Sequence, residues 1–237
     1  FNAVEDVSFD IAKGKVHSII GPNGAGKTTM LNMLTGVYEP SRGTVELEGQ
    51  DITGLAPHAL AGRGMARTFQ NLQIFFNMSA IENVMVGRHL HECAGWFAAM
   101  LRLPGLSAGE RESRREAAEL MQFVGLGDYL NAEADAMPYG ALKRLEIARA
   151  LAGKPKILLL DEPAAGLNAT ETRDIDALIT KLAQSGITVV LVEHDMHLVM
   201  SISDHIYVIN QGTPLANGTP EQIRNNPDVI KAYLGEA

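Results

Sequence analysis

The sequence has a single cysteine, Cys93, which excludes an intrachain disulfide and suits a reducing compartment. It has no apolar run close to the roughly 20 residues that a membrane-spanning helix needs, and no signal peptide is visible. Lysines and arginines form no dense run and the formal net charge is -8, so the composition predicts no nucleic-acid-binding surface. The acidic balance favours solubility.

The length fits one larger α/β domain or two small ones, and the composition is that of an ordinary globular protein. The chain has 237 residues, of which 46% are apolar and 20% charged, and this is enough to build a sizeable buried core. It begins at Phe1 without a methionine and leads directly into Val4–Phe9. We therefore expect a further segment before Phe1, and targeting signals stay open.

Short apolar, β-branched runs predict a parallel sheet that is covered on both faces. These runs are Val16–Ile20, Ile157–Leu160, Ile187–Val192 and Ile206–Ile209. Thr44–Glu48 differs, because apolar and polar residues alternate in it, as in an antiparallel strand with one solvated face. The sequence thus predicts a parallel α/β core with a β-rich flank.

Helical patterns separate these strands and fill the middle of the chain. Glu171–Gln184 carries an apolar stripe, and Asn168 stands three residues before Glu171, as in a capping box. A second stripe consists of Ala117, Leu120, Met121 and Val124.

The domain organisation follows from the stretch between about residues 72 and 138, which has helical patterns and no convincing buried strand. We expect one domain over residues 1–237. Its α/β core would comprise residues 1–71 and 141–237, and residues 72–140 would form an inserted helical subdomain.

A complete phosphate-binding loop follows the first predicted strand and leads into a helix, the order that the pattern G-x-x-x-x-G-K-[ST] requires. The predicted binding residues are Gly21, Pro22, Asn23, Gly24, Ala25, Gly26, Lys27, Thr28 and Thr29. Backbone N–H groups and the helix N-terminus would bind phosphate. Lys27 would reach the β- and γ-phosphates and Thr28 would offer its hydroxyl to Mg²⁺, so we expect ATP and Mg²⁺ as ligands. The competing interpretation is a glycine-rich turn with a chance Lys-Thr pair.

Two carboxylates, Asp161 and Glu162, follow the apolar run Ile157–Leu160. In P-loop ATPases an Asp at such a strand end holds Mg²⁺, usually through water, which is the role we expect for Asp161. Glu162 is then placed to act as the general base that polarises the attacking water. The alternative is a strand that ends in two solvated charges.

Further motifs complete a resemblance. They are Arg67-Thr-Phe-Gln-Asn71, Pro138-Tyr-Gly-Ala141, Asp161-Glu-Pro163, Ala165-Gly-Leu-Asn168 and Val192-Glu-His-Asp195. In this order they resemble the nucleotide-binding domain of ABC transporters over almost the whole chain. The segment Asp161–Asn168 and the tail from Asn210 to Gly235 are similar to the ATP-binding subunits of branched-chain amino-acid importers. The resemblance implies a RecA-like P-loop NTPase fold of the ABC ATPase type, with ATP hydrolysis that powers import.

The resemblance also implies roles for individual residues. Gln70 would join the Mg²⁺ site, formed with Thr28 and Asp161, to a transmembrane partner. His194 would contact the γ-phosphate and help to hold the attacking water. Two segments would serve the contact between two copies: a signature loop of Tyr139, Gly140 and Ala141 that faces ATP on the opposite subunit, and a dimer-crossing loop of Ala165, Gly166, Leu167 and Asn168.

Three positions depart from the family pattern. Pro138 offers neither a hydroxyl nor an N–H, and Ala141 offers no amide side chain, which puts the strength of the cross-subunit ATP contact in doubt. Asn168 replaces the more usual Asp of the dimer-crossing loop. The aromatic residue that stacks on adenine lies before Phe1 in the family, so Phe1 is not expected to fill that role.

The implied partners are transmembrane permease subunits, a second ATP-binding subunit, identical or homologous, and, indirectly, a solute-binding protein. The implied location is the cytoplasmic face of the inner or plasma membrane. The apolar stretch from Leu72 to Met78 is interpreted either as core of the helical subdomain or as a docking groove for a permease helix. Spacing alone gives a metal site at His194 and His197 little support.

Three other functions stay open. They are a nucleotide-gated switch with negligible turnover, which Pro138 favours, a soluble ABC ATPase that acts on DNA or ribosomes, and a P-loop kinase. The lack of a basic stripe and of a second cassette weighs against the second. A kinase would leave Gly140 and His194 without a purpose.

Overall fold

The computed structural model describes residues 3–88 and 105–234, so the expectations about Phe1 and Cys93 lie outside the described residues. Two compact units are present. One takes in the described residues of Phe1–Gln70 and Lys156–Ala237, and the other those of Asn71–Pro155. Within the described ranges, none of the helices combines the length and apolar character needed to cross a membrane.

Eight strands lie in the first unit. They are β1 (Val16–Ile20), β2 (Glu46–Leu47), β3 (Gln50–Asp51), β4 (Met65–Arg67), β5 (Ile157–Asp161), β6 (Thr188–Val192), β7 (His205–Asn210) and β8 (Thr213–Gly218). Six of them form one sheet in the order β4-β5-β6-β1-β7-β8, in which only β8 is antiparallel to its neighbour. The mixed, mainly parallel sheet confirms the predicted fold class.

The register of the sheet brings the carboxyl ends of three strands together. Asp161 at the end of β5 pairs with Val192 at the end of β6, and Val192 pairs with Ile19 of β1. Because β1 and β6 are buried along their whole length, this alignment is fixed by packing on both faces of the sheet. The residues that follow these strands therefore start from one edge.

The apolar pattern of the sequence predicted the β-rich flank but not the last strand. Glu46–Leu47 pairs with Gln50–Asp51 in an antiparallel hairpin, as the alternating pattern predicted. The sequence did not predict β8, because Pro214 and Gly218 suppress a strand pattern. Proline is tolerated there because β8 is an edge strand and the register shifts at Val208/Ile209.

Nine α-helices are described, together with two short 3-10 helices, Gly127–Tyr129 and Ala134–Ala136. The α-helices are α1 (Lys27–Leu34), α2 (Pro57–Gly62), α3 (Ala80–Val86), α4 (Gly105–Phe123), α5 (Tyr139–Ala152), α6 (Ala169–Gln184), α7 (Met196–Ile202), α8 (Pro220–Arg224) and α9 (Pro227–Leu234). The predicted capping box is present at the start of α6. The Asn168 side chain accepts from the N–H groups of Thr170 and Glu171, and the Glu171 carboxylate accepts from the Asn168 N–H.

The second unit is built from α3, α4 and α5, which pack on one another. In the predicted stripe of α4, Ala117 and Met121 are buried, as is Val124 just beyond the helix, and Leu120 is half-buried. The unit continues to Pro155, whereas the sequence-based expectation ended the helical subdomain at residue 140. The difference arises because α5 packs against α3 and α4 instead of serving as the first element of the core.

Candidate functional site

The predicted phosphate loop connects β1 to α1. Gly26 precedes α1 with φ 101°, a left-handed conformation that glycine adopts without strain. A Cβ on Gly21 would lie 2.1 Å from the Ile209 carbonyl oxygen, so only glycine fits this close approach. Asn23, Gly24 and Thr28 are exposed, whereas Ala25 is buried. The first turn of α1 has no acidic residue, which leaves its positive N-terminus available for an anion.

Lys27 is buried at the start of α1. Its Nζ donates to the carbonyl oxygens of Gly21 at 2.7 Å and Pro22 at 3.1 Å. Burial lowers the pKa of the Lys27 ammonium, while the negative charges of Glu162 and Asp161 act in the opposite direction. The ammonium is thus held inside the loop by neutral carbonyls, which a phosphate group could replace.

Asp161 is buried at the end of β5 and forms an ion pair with Arg67, whose Nη2 lies 2.8 Å from Oδ2 of Asp161. The same guanidinium donates through Nη1 to Asn32 Oδ1 on α1 at 2.6 Å and to Thr35 Oγ1, directly after α1, at 3.0 Å. It also lies over the Phe69 ring, 5.0 Å from the ring centre. One side chain therefore connects β4, β5 and the helix of the phosphate loop.

Glu162 contacts two predicted site residues at once. Gln70 Nε2 donates to its Oε2 at 2.8 Å, and His194 Nδ1 lies 3.4 Å from its Oε1. The Glu162 backbone has φ 49°, a strained conformation for a residue with a side chain, and its N–H donates to the Val192 carbonyl at 2.9 Å. Strain of this kind concentrates at functional sites. The structure thus brings Gln70, Glu162 and His194 together from three separate segments.

The donor set fits a magnesium ion. Mg²⁺ prefers oxygen ligands, binds to one or two protein groups and usually keeps waters and phosphate oxygens as its other ligands. Thr28 offers a hydroxyl, Asp161 a carboxylate and Gln70 an amide oxygen, all within the first unit. No group of three or more His, Cys, Asp or Glu residues suited to a metal ion occurs in residues 3–88 and 105–234.

The predicted dimer-crossing loop leaves the end of β5 as a tight turn. Ala165 N–H donates to the Glu162 carbonyl at 3.1 Å and Leu167 N–H to the Ala164 carbonyl at 3.2 Å. Gly166 has φ 78°. Asn168 ends the loop by capping α6 through its side-chain oxygen, so the residue at this position has a local structural role.

The predicted signature loop lies in the second unit, at the N-terminus of α5. Pro138 precedes the helix with an extended backbone and makes no side-chain cap, as its ring dictates. Gly140 and Ala141 are buried, whereas Tyr139 is exposed and has the Lys143 ammonium 5.8 Å from its ring centre.

No role was predicted from the sequence for four residues around the site, although two of them lie within the motifs named above: Asn32, Thr35, Arg67 and Glu193. The sequence offered one signal for Arg67. It is a charged residue at the end of a short, partly apolar segment, three positions before Gln70. Asn32 and Thr35 gave no signal, since each residue type is ordinary in the last turn of a helix or just after it. Glu193 is buried although it is charged, which the apolar run before it did not indicate.

Comparison with known proteins finds two family models. Residues 4–165 match the model described as ABC transporter, and residues 213–237 match the model described as branched-chain amino acid ATP-binding cassette transporter. The high-affinity branched-chain amino acid transport ATP-binding protein BraF of Pseudomonas aeruginosa is 53% identical over 236 residues, which cover 99% of this chain and 92% of BraF. The protein of the corresponding description, LivG, from Escherichia coli K12 is 50% identical with the same coverage.

Solved structures give the same picture. A nucleotide-free ATP-binding cassette from an ABC transporter superposes with a TM-score of 0.86 at 33% identity, covering 100% of this chain and 94% of that one. The ATP-binding cassette MJ0796, solved as a dimer in a post-hydrolysis state bound to ADP and Pi, superposes with a TM-score of 0.77 at 27% identity, covering 92% of this chain and 90% of that one.

Proposed function

The chain belongs to the ABC transporter ATP-binding family, and on this premise we propose that it is the ATP-hydrolysing subunit of an importer for branched-chain or other hydrophobic amino acids. The names of its relatives and the match of its C-terminal residues support the substrate class. The observation that carries the hydrolytic role is the Glu162 carboxylate, which follows Asp161 directly and contacts both Gln70 and His194.

In the proposed reaction, the loop N–H groups and the Lys27 ammonium bind the triphosphate, and Lys27 exchanges the carbonyls of Gly21 and Pro22 for phosphate oxygens. Glu162 accepts a proton from the attacking water, and His194 helps to hold that water. The water oxygen bonds to the γ-phosphorus while the bond from that phosphorus to the β–γ bridging oxygen breaks, which releases ADP and phosphate. Thr28, Asp161 and Gln70 would hold Mg²⁺, which offsets charge on the phosphate oxygens.

Hydrolysis in this proposal requires two copies or a copy and a homologous subunit. Each ATP would lie between the phosphate loop of one subunit and residues 139–141 of the other, with Ala165–Asn168 crossing the interface. A two-fold arrangement forms two such sites at once. Closure is favoured by ATP because ATP contacts both subunits only in the closed state.

The test is Glu162→Gln, which preserves shape and removes the base. We expect the variant to bind ATP with Mg²⁺ at an affinity within about threefold of the unchanged chain and to lose about 10²- to 10⁴-fold in phosphate release, the usual contribution of a general base. With hydrolysis blocked, gel filtration in ATP should show a dimer.

The matched control is Glu39→Gln, an exposed carboxylate outside the site, which should leave phosphate release unchanged. Unchanged turnover in Glu162→Gln would remove Glu162 as the base. A variant that stays monomeric with ATP at high concentration would contradict the two-copy arrangement.

A second candidate function, a nucleotide-gated switch with weak turnover, is favoured by Pro138. At the start of α5 a serine hydroxyl could contact the γ-phosphate across the interface, and Pro138 cannot. Losing one charge-assisted hydrogen bond costs about 1.5–3 kcal/mol. Steady ATP turnover by the unchanged chain excludes the switch, whereas ATP-dependent dimerisation without turnover favours it.

The proposed partners are transmembrane permease subunits, which would place the chain at the cytoplasmic face of the membrane. In the stretch from Leu72 to Met78, Ile74 is buried, whereas Phe75 and Phe76 are 43% and 49% exposed. The stretch therefore contributes both to the core of the second unit and to an exposed apolar surface. Exposed aromatic side chains of this kind suit the apolar face of a permease helix.

A further inference from the structure

Glu193, between β6 and α7, is a buried carboxylate with 1% exposure. Its two oxygens accept hydrogen bonds from two different backbone groups. Oε1 accepts from the Ala164 N–H at 2.9 Å, and Oε2 accepts from the His194 N–H at 3.1 Å. One side chain thus joins two segments that lie 29 residues apart in sequence.

The surroundings of Glu193 make this contact specific. Among residues 3–88 and 105–234, none of the ion pairs involves its carboxylate, so the buried charge is stabilised by N–H groups and not by a neighbouring cation. A buried carboxylate is costly unless its oxygens are hydrogen-bonded. The N–H groups of Ala164 and His194 therefore hold the two Glu193 oxygens in place, and the carboxylate in turn holds these two backbone segments.

Both segments carry residues of the proposed reaction. Ala164 stands two positions after Glu162 and directly before the dimer-crossing loop Ala165–Asn168. His194 lies against the Glu162 carboxylate. A second contact reinforces the first, since the Glu162 N–H donates to the Val192 carbonyl at 2.9 Å. Glu193 is thus the side-chain link between the loop that leaves Glu162 and the residue that contacts Glu162.

We propose that Glu193 is a positioning residue that sets His194 and the start of the dimer-crossing loop in register with Glu162. This inference rests on the proposed ATPase function. The carboxylate of Glu193 accepts from the Ala164 and His194 N–H groups, and in the proposed reaction it has no direct role at the reacting atoms. Its removal should therefore lower kcat and leave the KM for ATP nearly unchanged, because small displacements of reacting groups affect the rate far more than substrate binding.

The test compares Glu193→Gln and Glu193→Asp. The amide offers one acceptor oxygen where two N–H groups require acceptors. The shorter carboxylate keeps the charge and cannot reach both groups. We expect each variant to lower kcat by about 10- to 100-fold with the KM for ATP within about twofold, a loss typical of displaced catalytic groups. Two variants are used so that poor folding of one does not decide the outcome.

The matched control is Asp176→Asn on α6. Asp176 has a partly buried carboxyl group whose pKa is raised, first by burial and then by the negative charges of Asp195 and Glu193. It makes neither of the two backbone contacts, so its replacement should leave kcat unchanged. If replacing any buried carboxyl group in this region lowers kcat for purely structural reasons, Asp176→Asn will lower kcat as well. A lowered kcat in this control would overturn the inference.

A double-mutant cycle with His194→Ala tests whether Glu193 acts through His194. We expect Glu193→Gln to cause much less further loss of kcat in the His194→Ala background, because residues that act as a unit are not additive. Full additivity, or kcat within twofold of the unchanged chain in both Glu193 variants, would overturn the inference. If the protein without any substitution does not hydrolyse ATP, that result would instead contradict the proposed function itself.

Discussion

At the scale of single residues, Arg67 has the clearest energetic role outside the phosphate loop. Its side chain and that of Asp161 are 6% and 3% exposed, so solvent screens their ion pair little. Asn32 and Thr35 satisfy further donors of the guanidinium. Buried pairs of this kind add little net stability over apolar residues, but breaking one leaves an uncompensated charge. Arg67 therefore provides the buried Asp161 side chain with its ion-pair partner.

The residue-scale prediction is Arg67→Met, which keeps most of the side-chain volume and removes the positive charge. We expect the free energy of unfolding to fall by about 3–5 kcal/mol, because the Asp161 carboxylate loses its buried partner. Urea denaturation measures this. The control is Arg63→Met. Arg63 is exposed and lies two residues before β4, so its replacement should change stability by less than about 0.5 kcal/mol. Equal stabilities of the two variants would show that water compensates Asp161.

At the scale of elements, the turn from β5 to α6 combines a strained backbone with a well-capped helix. Glu162 and Gly166 both have positive φ, and the turn is closed by backbone hydrogen bonds between residues three positions apart. The capping box at Asn168 then starts α6, whose stripe of Ile175, Leu178, Ile179 and Leu182 is buried. The packed helix thus fixes the end of the turn, while the strand β5 fixes its beginning.

The element-scale prediction concerns Asn168 as the cap of α6. Asn168→Ala should cost about 1 kcal/mol of stability, because the N–H groups of Thr170 and Glu171 lose their acceptor. Asn168→Asp should be neutral or slightly stabilising, since a negative charge is favourable at a helix N-terminus. Thermal unfolding of the three chains measures both effects. If Asn168→Ala unfolds at the same temperature as the unchanged chain, water replaces the cap.

At the scale of the whole molecule, the two units carry different parts of the proposed motor. The first contains the phosphate loop and the group around Glu162, and the second contains the signature loop and the exposed apolar surface at Phe75 and Phe76. Apolar side chains exposed to this extent next to one another mark contact surfaces more often than scattered single residues do. The proposed assembly places a permease helix on that surface.

The prediction at this scale is Phe76→Asp. We expect co-purification with the permease subunits to be lost, because an apolar contact worth about 1.5–3 kcal/mol is replaced by a charge. The isolated chain should keep its unfolding free energy within about 0.5 kcal/mol, since the ring is half exposed. Tyr38→Asp, at an exposed aromatic residue of the first unit, is the matched control and should retain the permease. Retention by Phe76→Asp would place the docking surface elsewhere.

The sequence by itself determined those features whose causes lie within a few neighbouring residues. The phosphate loop is a strand, a glycine-rich turn and a helix in direct succession, and the capping box at Asn168 needs only Glu171 three residues later. Buried strands such as β1 and β6 are visible because burial on both faces demands unbroken apolar runs. The short strand β4 and the proline-containing strand β8 lack such runs, and they exist because the sheet provides neighbours for them.

Only the tertiary structure decided which side chains meet at the ends of these strands. Arg67 reaches Asn32 and Asp161, and Glu193 reaches Ala164, across separations that no local pattern encodes. The order β4-β5-β6-β1 and its register bring these segments to one edge of the sheet. Local propensities act between near neighbours, whereas strand order is chosen by the packing of the whole core, so the partners of a buried charge become known only when the sheet is assembled.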